Sequence, residues 1–169
     1  SDANDSPANS LLAVTITTLP GAGALTNNGA AVSAGQSVAL TDIAAGRLVF
    51  TPAAHANGGG YAGFTFQVQD DGGTTNGGSD LNPSPNTLTI NVTAVNDAPQ
   101  GANNTVTTNE DTAYTFAAAD FGFSDANDSP ANNLLAVKLT TLPSAGALTH
   151  NGLAVSLGQS VVVGDINAG

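Results

Sequence analysis

Hydrophobic residues in this chain come in short runs, and the runs alternate with polar positions. Leu88-Thr89-Ile90-Asn91-Val92 puts Leu88, Ile90 and Val92 on one face of an extended strand. Phe64, Phe66 and Val68 alternate with Thr65, Gln67 and Gln69 in the same way. This period predicts strands over 11–18, 24–27, 31–33, 37–40, 47–51, 63–69 and 87–94. Further along it predicts 105–107, 113–117, 134–141, 147–150, 154–156 and 160–163. Asn27-Asn28-Gly29 and His150-Asn151-Gly152 each predict a hairpin turn, because Asn-Gly accepts positive φ at both central positions. Pro20-Gly21 predicts another turn, and only 117–120 has helical character. Many short strands with turns between them predict an all-β fold, an antiparallel β-sandwich, with a barrel as the alternative. Tyr114, Phe116, Phe121, Phe123, Phe50, Phe64 and Phe66 are the candidate core aromatics.

The pattern repeats. The nine residues from Ser1 to Asn9 return letter for letter from Ser124 to Asn132, an offset of 123. The match runs without a gap from 1–46 onto 124–169, and 35 of the 46 pairs are identical. A period of 123 residues is too long for a solenoid unit and has the size of a whole domain. Val95-Asn96-Asp97-Ala98-Pro99 follows a strand-like run and reads as the joint. The expected domains are 1–96, a β-sandwich repeat lacking its first strands, and 97–169, the next repeat lacking its C-terminal strands.

Composition narrows the possibilities. The 169 residues hold no Cys, Met or Trp, and 13 acids stand against Arg47 and Lys138, a formal charge of −11. Disulfides and thiolate metal sites are excluded. Nucleic-acid binding needs a basic patch that the sequence does not hold. No apolar run reaches the ~20 residues of a membrane span. Recurrent β-branched and aromatic runs argue against disorder.

The acids are clustered in expected loops. Asp2, Asn4 and Asp5 form one group, and Asp125, Asn127 and Asp128 repeat it. Glu110-Asp111, Asp70-Asp71 and Asn96-Asp97 are the others. Asp and Asn are turn formers, so solvated turns are one reading. Packed carboxylates without basic partners repel each other, and a divalent cation resolves that. Ca²⁺ takes 6–8 oxygens from carboxylates, carbonyls and water and suits these groups better than Mg²⁺. Zinc is disfavoured, since there is no Cys and His55 and His150 stand apart.

Val95-Asn96-Asp97-Ala98-Pro99 resembles the inter-repeat linker of cadherin-like tandem domains. Asn109-Glu110-Asp111-Thr112 resembles the acidic element at their first strands. Phe123-Ser124-Asp125-Ala126-Asn127-Asp128 resembles the Asp-rich loop of large repetitive adhesins secreted by Gram-negative bacteria, and Val68-Gln69-Asp70-Asp71-Gly72 their Asp-x-Gly element. The Asp-Arg-Glu and Asp-x-Asp motifs of animal cadherins are missing. The resemblance implies calcium ligands at Glu110, Asp111, Asn96, Asp97, Asp70, Asp125, Asn127 and Asp128. The internal repeat adds Asp2, Asn4 and Asp5. It further implies a non-enzymatic extender of an extracellular cell-adhesion or biofilm-matrix protein, stiffened by calcium at its joints. Partners would be neighbouring repeats of the chain or identical subunits in a fibre.

Two other functions fit the residues less well. A sugar- or protein-binding adhesion module would use loops such as 57–61, where Tyr61 follows Gly58-Gly59-Gly60. An enzyme would need paired carboxylates on one face, and adjacent Asp70 and Asp71 on a strand point to opposite faces. His150 is Asn27 in the other copy, and Lys138 is Thr15, which argues against catalysis and against an isopeptide crosslink. Strand exchange between identical subunits, making a self-assembling fibre, is a further possibility.

Overall fold

Alternating runs need partner strands to satisfy their backbone groups, and here they find them antiparallel. The computed structural model describes residues 8–169. The chain divides into two units, Ser1–Ala94 and Val95–Gly169.

The first unit holds β1 (Leu11–Ile16), β2 (Ala24–Asn27), β3 (Ala30–Ala31), β4 (Ser37–Ala39), α1 (Leu40–Ala44), β5 (Leu48–Thr51), β6 (Gly58–Asp70) and β7 (Asn86–Val92). These make a four-stranded sheet in the order β4-β1-β6-β7 and a three-stranded sheet in the order β3-β2-β5. The alternation sets the register: Val14 lies opposite Val68 and Ile16 opposite Phe66. Leu25 lies opposite Phe50 in the smaller sheet. Side chains of both sheets meet in one cluster of Ile16, Leu25, Val32, Val38 and Phe64. Ile16 and Val38 are fully buried. The Asn28-Gly29 turn has the expected positive φ at both residues, 53° and 77°.

The second unit holds a 3-10 turn, Ala118–Phe121, then β8 (Ala136–Lys138), β9 (Thr149–His150), β10 (Leu153–Ala154), β11 (Ser160–Val162) and α2 (Val163–Ala168). Its pairings copy those of the first unit shifted by 123 residues. Val137 faces Val161 as Val14 faces Val38. His150 faces Leu153 as Asn27 faces Ala30. Asn151 and Gly152 repeat the positive-φ turn at 51° and 75°. The two sheets, β8-β11 and β9-β10, stop at two strands each.

Several expectations are corrected. No strand forms at 105–107 or 113–117 among the described residues, because neither segment has a partner there. β8 is three residues long where 134–141 was expected, because among the described residues it pairs with the three-residue β11 alone. Leu40–Ala44 and Val163–Ala168 are helices rather than strand ends or loop. Of the candidate core aromatics only Phe64 is buried, while Tyr114 and Phe116 are each 37% exposed. Tyr114, Phe116 and Phe121 pack on one another at centroid distances of 5.1 and 6.0 Å.

Candidate metal site

Residues 95–97 have no regular structure, so side chains must hold them. The Asp97 amide donates to Asp128 Oδ1 at 3.0 Å. Asn132 Nδ2 donates to Asn96 Oδ1 and to Asp128 Oδ2, both at 2.8 Å. The Asn132 amide donates to Asp125 Oδ2 at 2.6 Å. Asn96 Nδ2 donates to the Asp97 carbonyl at 2.9 Å. One network thus joins Asn96, Asp97, Asp125 and Asp128, with Asn132 at its centre. Asn127 is half-buried in the same loop. Asn132 was not among the expected site residues. Its signal was present, since it closes the nine-residue segment repeated without change.

Asp125 is 7% exposed, and its Oδ1 is buried with no hydrogen-bond partner among the described residues. Leaving such an acceptor bare costs about 1–3 kcal/mol, more when it is charged. Seven acids lie in Val95–Gly169, and Lys138 is the one Lys or Arg there. A hard cation suits that oxygen, with amide and backbone carbonyls to complete its shell. A carboxylate cage is a different matter. Among the described residues no group of three or more Asp, Glu, His or Cys is placed to hold a metal. What the described residues offer a cation is a single bare carboxylate oxygen on Asp125, with no carboxylate cluster around it.

The other expected ligands have local roles in view. Asp70 Oδ1 accepts from the Gly72 amide at 2.9 Å and closes a turn. Asp71 Oδ1 accepts from the Ser10 amide at 2.7 Å and pins the start of β1. Glu110 and Asp111 shape a turn of their own, with Asp111 at φ 60° and the Thr112 amide donating to the Asn109 carbonyl at 3.3 Å. Asp2, Asn4 and Asp5 lie outside the described residues.

Candidates for other chemistry are engaged structurally. The Tyr61 hydroxyl accepts from the Ala53 amide at 3.2 Å, and its ring meets Phe50 edge-on at 6.3 Å. His150 Nε2 lies 2.9 Å from Asp165 Oδ2 in α2. In the first unit Asn27 Nδ2 donates to Asp42 Oδ2 of α1 at 3.1 Å. His150 takes the place of that asparagine in tying a hairpin to a helix.

No protein-family model, curated protein or solved structure matches the chain. No helix among the described residues is long and apolar enough to cross a membrane.

Proposed function

We propose that the chain is a structural spacer, a stretch of tandem cadherin-like β-sandwich modules from an extracellular adhesin or surface fibre. Calcium locks residues 95–97 onto the second unit through Asp125, with oxygens of Asn96, Asp97, Asn127 and Asp128 available to complete its shell. The observation that carries this reading is Asp125 Oδ1, buried and without a hydrogen-bond partner among the described residues, in the loop whose Asp128 and Asn132 bond Asp97 and Asn96. Near-identity of the two copies supports a spacer, whose function is length. The antiparallel sheets meeting in one cluster support the sandwich in the first unit. Bound calcium offsets the repulsion among seven acids.

The test is a thermal melt of the 169-residue chain in millimolar calcium, in millimolar magnesium and in chelator. Calcium at a hundred times its Kd adds about 2.7 kcal/mol, a rise of roughly 10–20 °C for a unit of this size. The rise should be absent with magnesium and lost in Asp125→Asn. No calcium response, or an equal response to magnesium, overturns the calcium site.

A further inference from the structure

One asparagine closes the repeated nine-residue segment in each unit, Asn9 in the first and Asn132 in the second. Each reaches an acidic loop of its own unit. Asn132 Nδ2 carries two hydrogens and uses both, one on Asn96 Oδ1 and one on Asp128 Oδ2, each at 2.8 Å. Its backbone amide donates to Asp125 Oδ2 at 2.6 Å, and the Asp97 amide donates to Asp128 Oδ1 at 3.0 Å. Three of these four bonds end on a carboxylate, the stronger kind of hydrogen bond. A donor between oxygens of two separate segments joins them as a bridging cation does.

In the first unit a glycine marks where the asparagine sits. A Cβ on Gly72 would overlap Asn9 Nδ2 and lie 2.9 Å from Asn9 Cγ and 3.1 Å from Asp70 Oδ1. Gly72 has no positive φ, so the close approach of Asn9 is what calls for glycine here. The backbone beside this contact is fastened in both directions. The Ser10 amide donates to Asp71 Oδ1 at 2.7 Å, and the Asp71 amide donates to the Ser10 carbonyl at 3.0 Å. Asn9 thus lies where the start of β1 is tied to the Asp70–Gly72 turn.

We infer that this asparagine is the positioning residue of the acidic loops, and that its side-chain amide fastens them with no metal. Asn132 seats the 95–97 linker on the 125–132 loop, and Asn9 seats the Asp70–Gly72 turn at the start of β1. The residue type follows from the partners. Aspartate has the same shape but no donor, and would set its oxygens against those of Asn96 and Asp128. Alanine reaches neither. The inference goes beyond the spacer reading: the linker is seated by the chain's own amide, and calcium at Asp125 adds to a contact already made.

The experiment is amide exchange of the 169-residue chain in chelator, which reports local opening. The Asp97 amide should be protected in the parent. It should exchange at least tenfold faster in Asn132→Ala and in the isosteric Asn132→Asp. Leu139 and Val163, whose amides donate to Gln159 and Leu135 within the β8–β11 pairing, should keep their rates and so report that the unit is folded. Asp125→Asn retains an oxygen for the Asn132 amide, so it should abolish the calcium response of the melt and leave Asp97 protected. Failure of the calcium site and failure of the latch are thereby told apart. In the first unit Gly72→Ala should speed exchange at Ser10 at least tenfold in the parent, and less than twofold once Asn9 is replaced by alanine. Three results overturn the inference: Asp97 exchange that is fast in chelator and slowed only by added calcium, an Asn132→Asp chain as protected as the parent, or a Gly72→Ala effect that is the same with and without Asn9.

Discussion

Single side chains show how the acids of this molecule are used. Asp42 accepts from Asn27 and, at 2.8 Å, from Arg47. These bonds, the asparagine first and the arginine second, hold its carboxyl below the ordinary 3.8. A depressed carboxyl stabilises the fold above its ordinary value and loses that contribution as pH falls through the depressed one. Acid unfolding of the first unit should therefore be steeper in the parent than in Asp42→Asn, read by circular dichroism between pH 5 and 2. Tyr114 shows the opposite sign. Its hydroxyl donates to Asp120 Oδ2 at 3.0 Å, which pushes the phenol above 10.0. That contribution is complete below 10 and lost as pH rises through the raised value. Absorbance at 295 nm should show Tyr114 ionising late, and Asp120→Asn should bring it back toward the ordinary 10.0. The repeat supplies an internal control for burial. Ile16→Ala should cost about 2–5 kcal/mol in urea unfolding, since Ile16 is fully buried. Leu139→Ala should cost less than half as much. At this scale the sequence showed which residues were acidic and paired by repetition. It could not show that Asp125 would be the buried one, because burial depends on Asn132 and the linker arriving from elsewhere in the chain.

Elements were legible where the local chemistry is strong. Asn-Gly turns were read directly, because few other dipeptides accept two positive φ angles in succession. The pairing of Val14 with Val68 follows from matched alternation in two strands far apart in sequence. The helices were missed. Leu40–Ala44 is five residues long, too short to show a 3.6-residue period, and all of it but Leu40 falls between the expected strands 37–40 and 47–51. Asp42 in its first turn favours the helix dipole, and Gly46 at φ 69° ends it, its amide donating to the Ile43 carbonyl at 3.0 Å. Segments 105–107 and 113–117 failed differently. Their residues suit strands, but strand propensity is realised only against a partner. The glycines before β2 and β9 test this dependence. Gly23→Ala meets both a φ of 73° and the Phe50 ring, and should destabilise by well over 1 kcal/mol. Gly146→Ala meets only the backbone strain at φ 76°, about 1 kcal/mol. Urea midpoints of the two variants check the difference.

At the scale of the whole chain, charge and repetition act together. Thirteen acids against two bases give a self-repelling molecule, which keeps like copies apart. Added monovalent salt should raise the melting temperature in chelator by screening that repulsion, and should have less effect once calcium is bound. Scanning calorimetry across sodium chloride concentrations measures both. The 123-residue period was visible from the letters alone. That one half of it would take up its pairings without the other half was not, since sequence identity does not reveal which contacts suffice.

The matching registers of the two units have a consequence for how such a chain is made. Synthesis delivers the N-terminal half of each repeat first, at about 5–20 residues per second. The pairings of β8 with β11 and of β9 with β10 lie wholly within residues 136–162 and use no counterpart of β5–β7. Each later strand then meets a prepared template next to it in sequence, so closure proceeds by short steps rather than a search across the whole chain. A long array built this way could fold as it emerges, one half-repeat ahead of the next.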